Sequence, residues 1–443
     1  MGTEQQEEPS GPDGLPLVGN TYQFASSPLA FYEQTAREYG PVARYELAGR
    51  EYIQLSDPDL IEQVLVHDNQ RFRKGEMYQQ SLGPVLGEGL LLSEGEFWRD
   101  QRHRMQPAFN PDALGAYAPA MVEYTERLLS EWRDGEVRDV HADMMQLTVE
   151  IAAQALFDVD IRDYETSIAD ALETVMNRSE ARLTRPVDIP DSVPTPMNRR
   201  YQRALAALDD IAAEIVADHD AGGDDVVSML LTAKEQTDAL DNEQIRDEVK
   251  TLLLAGHETT ALALSYTLFA LADNPEQQER LQAETDTVLD GHSPTQADID
   301  DLDYTRQTVR EGMRIYPPVQ GLIREAAEPV ELGGYEFPEG TTISMQQWVM
   351  HRDRRYYDDP EQFRPARWTD DLKRSLPKFA YFPFGGGPRR CIGDNFAKLE
   401  ARLALATIAQ EWTVTPVTES LSFSPSITLR PDGPVNLRVR RRV

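Results

Sequence analysis

The sequence predicts a mainly α-helical α+β fold, one large helical unit carrying a smaller β-rich region, and three observations lead there. Long stretches at 114–132, 144–157, 198–218, 241–272 and 395–412 carry apolar residues at three-and-four spacing, the period of a helix with a buried face. Strand-like patterns are short and bounded by turn residues, at 42–54 and 330–345. No internal repeat or long linker divides the 443 residues, and the single cysteine, Cys391, excludes an intramolecular disulfide. The chain therefore reads as a single domain, 1–443, with a core large enough to need no covalent staple.

In chain order, residues 1–20 are an acidic, flexible, Pro/Gly-rich leader with Pro9, Pro12 and Pro16. It lacks the apolar run of a signal peptide or membrane anchor. A helix is expected at 28–39, two short strands across 42–54 turning at Gly49-Arg50, a helix at 58–67, and another from 97 that Pro107 stops. Helices at 114–132, 144–157 and 164–182 follow. A break at 186–196 then brings four prolines, a connector where a substrate lid could hinge. Helical pattern resumes at 198–218 and 241–272, restarts after Asn274-Pro275, and returns at 304–315 until Pro317-Pro318 closes it. The β region comprises 330–332, 335–337 and 341–345, and a last helix spans 395–412. The most apolar stretch, 251–272, is interrupted by Gly256, His257, Glu258, Thr259 and Thr260, so it reads as a buried core helix and not a membrane span.

Composition narrows the function. With 76 Asp and Glu against 44 Lys and Arg the formal charge is −32, too acidic for a surface that must embrace nucleic-acid phosphate. Only six of the cations are lysines, the other 38 being arginines. That lopsidedness fits a salt-loaded cytoplasm, where a Debye length of ~3 Å makes an anionic surface cheap; an ordinary acidic protein from a GC-rich genome would show it too. One cysteine agrees with a reducing, cytoplasmic setting.

The strongest local signal is Phe384-Gly385-Gly386-Gly387-Pro388-Arg389-Arg390-Cys391-Ile392-Gly393, followed by a helix. A metal-binding thiolate needs a positive, hydrogen-bond-donating, water-poor surround. Glycines let backbone N–H groups approach a sulfur, Arg389 can neutralise an anion nearby, and the following helix points its positive end there. This run resembles the haem-binding loop of the cytochrome P450 family, Phe-x-x-Gly-x-Arg-x-Cys-x-Gly. Phe384, Gly387, Arg389, Cys391 and Gly393 fill its fixed positions. The resemblance implies a cytochrome P450 fold and makes Cys391 the proximal ligand to the iron of haem b (iron protoporphyrin IX), a thiolate that favours O–O cleavage.

Other segments extend the likeness. Glu311 and Arg314 lie one helical turn apart, and the segment at 359–368 resembles the family's source of a second arginine, Arg367. The three would form a buried structural triad. The run Ala255-Gly256-His257-Glu258-Thr259-Thr260 resembles the family's oxygen-binding signature. By that likeness Gly256 leaves room for haem and dioxygen, Thr259 donates a hydrogen bond to the bound, reduced oxygen, and Glu258 relays protons; a threonine-kinked helix is the structural alternative. His257, about 100° around the helix from its neighbours, is not read as a ligand. Trp98 and Arg102 match the family's early-helix pair, and with Arg324 and Arg389 they are the implied donors to the haem propionates.

The implied reaction is monooxygenation: one atom of O2 enters an unactivated C–H bond of a hydrophobic small molecule and the other leaves as water. A fatty acid, a terpenoid or another lipid would serve, long-chain fatty acids foremost; Arg50, at the strand turn, matches a place where some fatty-acid hydroxylases of the family have a carboxylate-binding arginine, the alternative being a solvated turn residue. Candidate lining comes from 72–92, 182–196, Leu253, Ala255 and 318–323. Without a nucleotide-binding glycine fingerprint, electrons are expected from a separate ferredoxin-type donor and its reductase, docking near Arg389, Arg390, Lys398 and Arg402. The likeness and composition together suggest a soluble, monomeric prokaryotic member from a halophilic archaeon. Two other readings stay open: a haem isomerase or dehydratase on the same fold, which the acid and threonine pair argues against, and a non-catalytic haem sensor.

Overall fold

The computed structural model describes residues 8–161, 168–184, 190–223, 225–237, 240–425 and 427–442. Its longer helices are α1 Pro28–Tyr39, α2 Glu76–Leu86, α3 Gly95–Met105, α4 Pro111–Ser130, α5 Val140–Phe157, α6 Ile168–Thr184, α7 Pro196–Ala217, α8 Val226–Thr237, α9 Asn242–Ala272, α10 Pro275–Leu289, α11 Asp303–Ile315 and α12 Asp394–Glu411. Residues 1–7 of the leader, 162–167 before α6 and 185–189 of the proposed hinge lie outside the described residues.

Helix α9 organises the molecule. Its start is fixed by a capping box: Gln244 N–H donates to the Asp241 side chain (2.8 Å) while Asp241 N–H donates to Gln244 Oε1 (2.9 Å). Its end comes at Asn274-Pro275, because proline cannot continue the ladder but suits the first turn of α10. At 31 residues it is roughly 46 Å long. Apolar side chains surround it, so it belongs in the core and not on a face of it. Helix α5 packs alongside, tied by Thr148 Oγ1 to the His257 carbonyl (2.7 Å). Together with α4, α7, α11 and α12 they bury the larger core.

The β region is more extensive than the sequence patterns suggest. One sheet orders β1 (Val42–Leu47), β2 (Arg50–Leu55), β8 (Thr342–Gln346), β5 (Gly321–Ala326) and β3 (Phe72–Arg73), with β2 and β8 parallel and the other neighbours antiparallel. A second joins β4 (Val137–Asp139), β12 (Asn436–Arg441) and β9 (Trp412–Pro416); β6 (Val330–Leu332) pairs with β7 (Tyr335–Phe337), and β10 (Phe423–Pro425) with β11 (Leu429–Pro431). A smaller core under the five-stranded sheet joins Ile53, Leu55, Ile343 and Met345 to Phe379 and Phe382.

Three expectations need refining. The stretch at 58–67 is helical throughout, as expected, but changes from α-helix over Pro58–Glu62 to π-helix over Gln63–His67. Helix α2 was not expected, since Gly83 and Pro84 interrupt its pattern. Nor were β3, β5 and the strands after 412: pairing partners far along the chain, and not local alternation, define them. Among the described residues no helix is long and apolar enough to cross a membrane.

Candidate active site

The cysteine loop is built by close approach. Gly387 has φ of +66°, and a Cβ there would meet the Leu65 carbonyl oxygen at 1.8 Å, so only glycine fits. Cys391 N–H donates to the Phe384 carbonyl (3.0 Å), closing the loop just before α12. Phe384 is half-buried, with Lys398 Nζ 4.8 Å from its ring centroid. The Cys391 residue is reachable by water, yet protein surrounds its sulfur closely enough that burial pushes the thiol above its ordinary range. It therefore lines space inside the fold.

That electrostatic setting corrects the expected one. The Gly393 N–H, Arg102 and Lys398 favour the thiolate, but burial outweighs them and Asp394 opposes them. A metal ion held by Cys391 would supply the missing positive charge, since a coordinating thiol is deprotonated outright. Arg389 is engaged away from the sulfur, pairing with Glu94 and lying 4.7 Å from the Trp98 ring centroid. Asp394, which the sequence reading passed over, is paired with Arg390 and, at 3.2 Å, with Lys398.

A second opening lies on α9. In a helix otherwise buried almost throughout, Ala255 is exposed and Gly256 and Thr259 are half-exposed. Accessible surface in the middle of a helix enclosed on both sides in sequence points to open space beside it. Thr259 Oγ1 donates to the Ala255 carbonyl (2.9 Å), so its hydroxyl is folded back onto the helix. Gly256 turns its missing side chain toward α5, where an added Cβ would touch Ala152 at 3.5 Å, an ordinary contact. Glu258 points elsewhere: it is buried, pairs with Arg430 and accepts from Thr428 Oγ1 (2.9 Å). Arg430 in turn donates to Asn177 (2.9 Å). His257 is buried with both ring nitrogens unpartnered among the described residues, and burial pushes it down to about 4.

Between these features lies a cluster of cations. Arg102 sits 6.0 Å from the Trp98 ring centroid, near Cys391 and Asp394. Arg324 donates to the Ile323 carbonyl (2.8 Å) and is held down by burial and by Arg389. Lys74 was missed; it too lies beside Arg389, Arg324 and Glu94. Lys74, Arg324 and Arg389 all lie near Glu94, which pairs with Arg389. A cluster with this excess of positive charge fits a ligand carrying two carboxylates, as haem b does.

Beneath, Glu311 and Arg314 are fully buried. Arg314 donates to both carboxylate oxygens of Glu311 (2.9 Å each), and Arg367 Nε donates to Oε1 (2.8 Å). Arg367 also donates to the carbonyls of Asp358, Asp359 and Gln362, fixing the loop that precedes the cysteine segment. Surface cavities of about 380 and 710 Å³, the one around Tyr316 and the other around His219, contain none of Cys391, Ala255, Gly256, Thr259 or the cations around Glu94, although Gln362 lines the first.

Comparison with known proteins agrees with this geometry. The family model for Cytochrome P450 matches residues 9–437. Cyclooctatin synthase of Streptomyces melanosporofaciens is 34% identical, covering 96% of this chain and 92% of that protein. Cyclooctat-9-en-7-ol 5-monooxygenase of the same organism is 35% identical (92% and 90% covered), and pentalenene oxygenase of Streptomyces avermitilis 33% (92% and 91%). The crystal structure of the haem domain of cytochrome P450DA superposes with a TM-score of 0.87 at 28% identity, covering 98% of each chain. On the strength of a match along nearly its whole length, this chain belongs to the cytochrome P450 family of haem-thiolate monooxygenases.

Proposed function

We propose that this enzyme hydroxylates an unactivated C–H bond of a terpenoid, in the cavity between Cys391 and the Ala255–Thr259 face of α9. The observation that carries the site is the accessible Cys391 within a protein-lined space. The substrate class rests on the terpenoid oxidations for which the relatives are named. Arg50 supports this class over fatty acids, because it already faces Glu76 at 4.0 Å and is poorly placed to receive a carboxylate.

Cys391 would hold the haem iron, and Trp98, Arg102, Arg324 and Arg389 its periphery; when bound, haem supplies dioxygen activation and C–H oxidation. The chain's own work is to exclude water, seat the substrate and move protons. Ala255 keeps the cavity wall low, while Gly256, whose missing side chain faces Ala152 of α5, does not serve that purpose. Thr259 presents its hydroxyl to the cavity by releasing the Ala255 carbonyl, and Glu258 delivers a proton after exchanging its Arg430 and Thr428 partners. We infer that a separate ferredoxin-type protein delivers electrons to the side bearing Arg390 and Lys398, with Arg102 of α3 near Arg390. Arg389 suits that role less well, since its side chain is far less exposed than those of Arg390 and Lys398. The acidic, lysine-poor composition supports salt adaptation and, with it, a halophilic source.

Titrating the ferric enzyme with terpene hydrocarbons, terpene alcohols and C12–C18 fatty acids tests the substrate class. Terpenoids are expected to shift the haem spectrum at micromolar levels and to yield monohydroxylated products with O2 and a reductant. A shift and turnover confined to fatty acids would contradict it.

A further inference from the structure

His219 follows α7 and turns its ring back into a junction of three helices. Nδ1 lies 2.6 Å from the carbonyl oxygen of Ile215, in the last turn of α7, and Nε2 lies 2.7 Å from that of Phe157, the last residue of α5. A carbonyl oxygen only accepts, so each contact needs an N–H on the ring. Neutral imidazole has one N–H and imidazolium has two, and the geometry therefore calls for the charged form. Both carbonyls belong to final turns, where the ladder leaves them without an intrahelical partner and where the macrodipole favours a cation.

The surroundings supply carboxylates and no competing cation. The adjoining cavity is lined, among the described residues, by Asp158 at the end of α5, Asp160, Glu214 and Asp218 at the end of α7, Asp220, and Asp225 before α8, with no lysine or arginine. Asp225 Oδ1 lies 3.8 Å from Nε2 and accepts from Ser228 N–H (2.9 Å) in the first turn of α8. Gly222 N–H donates to Thr232 Oγ1 (2.8 Å), and a Cβ on Gly223 would meet Ser228 Oγ at 2.6 Å, so the chain after His219 is itself laid against α8. Both helices that the ring joins also hold α9. Helix α5 does so through Thr148 and the His257 carbonyl (2.7 Å), and α7 through Asp209 and Lys250 (2.6 Å).

We propose that protonated His219 is a pH-sensitive pin between the ends of α5 and α7. Histidine is the side chain that ordinarily changes charge between pH 5 and 8. With both protons in place the ring donates at each end and the two helices are joined. After losing one it keeps a single N–H; its other nitrogen turns a lone pair on a carbonyl oxygen, and that link gives way. The pin is therefore closed at low pH and released as pH rises, loosening the C-terminal end of α7 against α5. The inference is independent of the haem site and of the substrate class.

The test uses the full-length holoenzyme as wild type and His219→Gln, whose amide cannot donate to both carbonyls across the ring's span. Nitrogen-15 NMR of histidine-labelled protein, with the His219 signals assigned by their loss in the variant, reads the protons on the ring. Hydrogen exchange of peptides covering 150–160 and 211–223, corrected for the intrinsic effect of pH on exchange, reads the junction. Two protonated ring nitrogens are expected at pH 5.5 and one at pH 8.5. Corrected exchange at both peptides should be about 10-fold faster at pH 8.5 in the wild type, while peptides covering 394–411 change little. In His219→Gln it should be fast at both pH values. A single protonated nitrogen at pH 5.5, or protection at the junction that does not vary with pH in the wild type, would overturn the proposal, and neither measurement requires the variant to fold well. A pH dependence that persists in His219→Gln would assign it to the surrounding carboxylates and would equally overturn it.

Discussion

Glu258 and Arg430, 172 positions apart in sequence, form a buried ion pair that joins the middle of α9 to strand β11. Thr428 completes the carboxylate's shell. The acid of the Ala-Gly-His-Glu-Thr-Thr run is therefore fixed by the C-terminal hairpin, on a different side of the helix from the half-exposed Thr259. Arg430→Leu leaves a buried carboxylate without its cation and should cost ~3–5 kcal/mol, whereas the double variant Arg430→Leu/Glu258→Gln should recover much of that loss. Denaturation midpoints of the wild type, Arg430→Leu, Glu258→Gln and the double variant check this; an additive pair would mean that the two side chains act independently.

If Glu258 and Thr259 move protons into the cavity, their loss should leave substrate binding intact. Glu258→Gln is expected to slow product formation by on the order of 10²-fold, and Thr259→Ala to waste electrons as reduced oxygen. Substrate-induced spectral shifts should keep their midpoints. Product formed per electron pair, measured beside those midpoints, separates a proton role from a packing role.

The Glu311 triad is expected to be intolerant even of conservative change. Arg367 donates to Glu311 and to three carbonyls in a fixed fork, which a lysine cannot reproduce. Arg367→Lys should fold poorly and retain little haem, and Arg367→Leu should lose ~3–5 kcal/mol. Haem content after purification is the simplest readout, and full retention in Arg367→Lys would count against the triad's structural role.

Glu248 makes stability depend on pH in a direction that can be stated. Its folded-state value is pushed up to about 8 by burial, with Asp247 adding to the rise and the Leu90 N–H and Lys74 opposing it. Between the unfolded carboxylate's range near ~4.5 and 8 the folded state holds the proton that the unfolded state releases, so stability falls as pH rises through that window. Glu248→Gln removes the cost. Its melting temperature should exceed wild type at pH 8, and the gap should shrink on acidification toward pH 5; a gap constant with pH would show that Glu248 ionises normally.

What could be read from the sequence divides along physical lines. Helices with their own stop signals were legible: Pro28–Tyr39 and Asp303–Ile315 end where glycine or proline dictates. The Cys391 loop was legible because its glycines and arginines are contiguous. Strand β5 was not, because it is defined by pairing with β8 and β3, and its residues are half-buried without alternation. Lys74 and Glu94 were equally hidden, since their meaning comes from Arg324 and Arg389, more than 200 positions away. Arg430 escaped for the same reason, as nothing local to it points to Glu258.

The most direct test of the whole reading is the difference spectrum of the dithionite-reduced, carbon-monoxide-bound protein at high salt, with Cys391→Ala alongside. A thiolate-type Soret band at the wavelength that gives the family its name, absent from the variant, is the predicted result. Well-folded wild-type protein that takes up haem but lacks that band, or a variant that keeps it, would contradict ligation by Cys391 and the chemistry built on it.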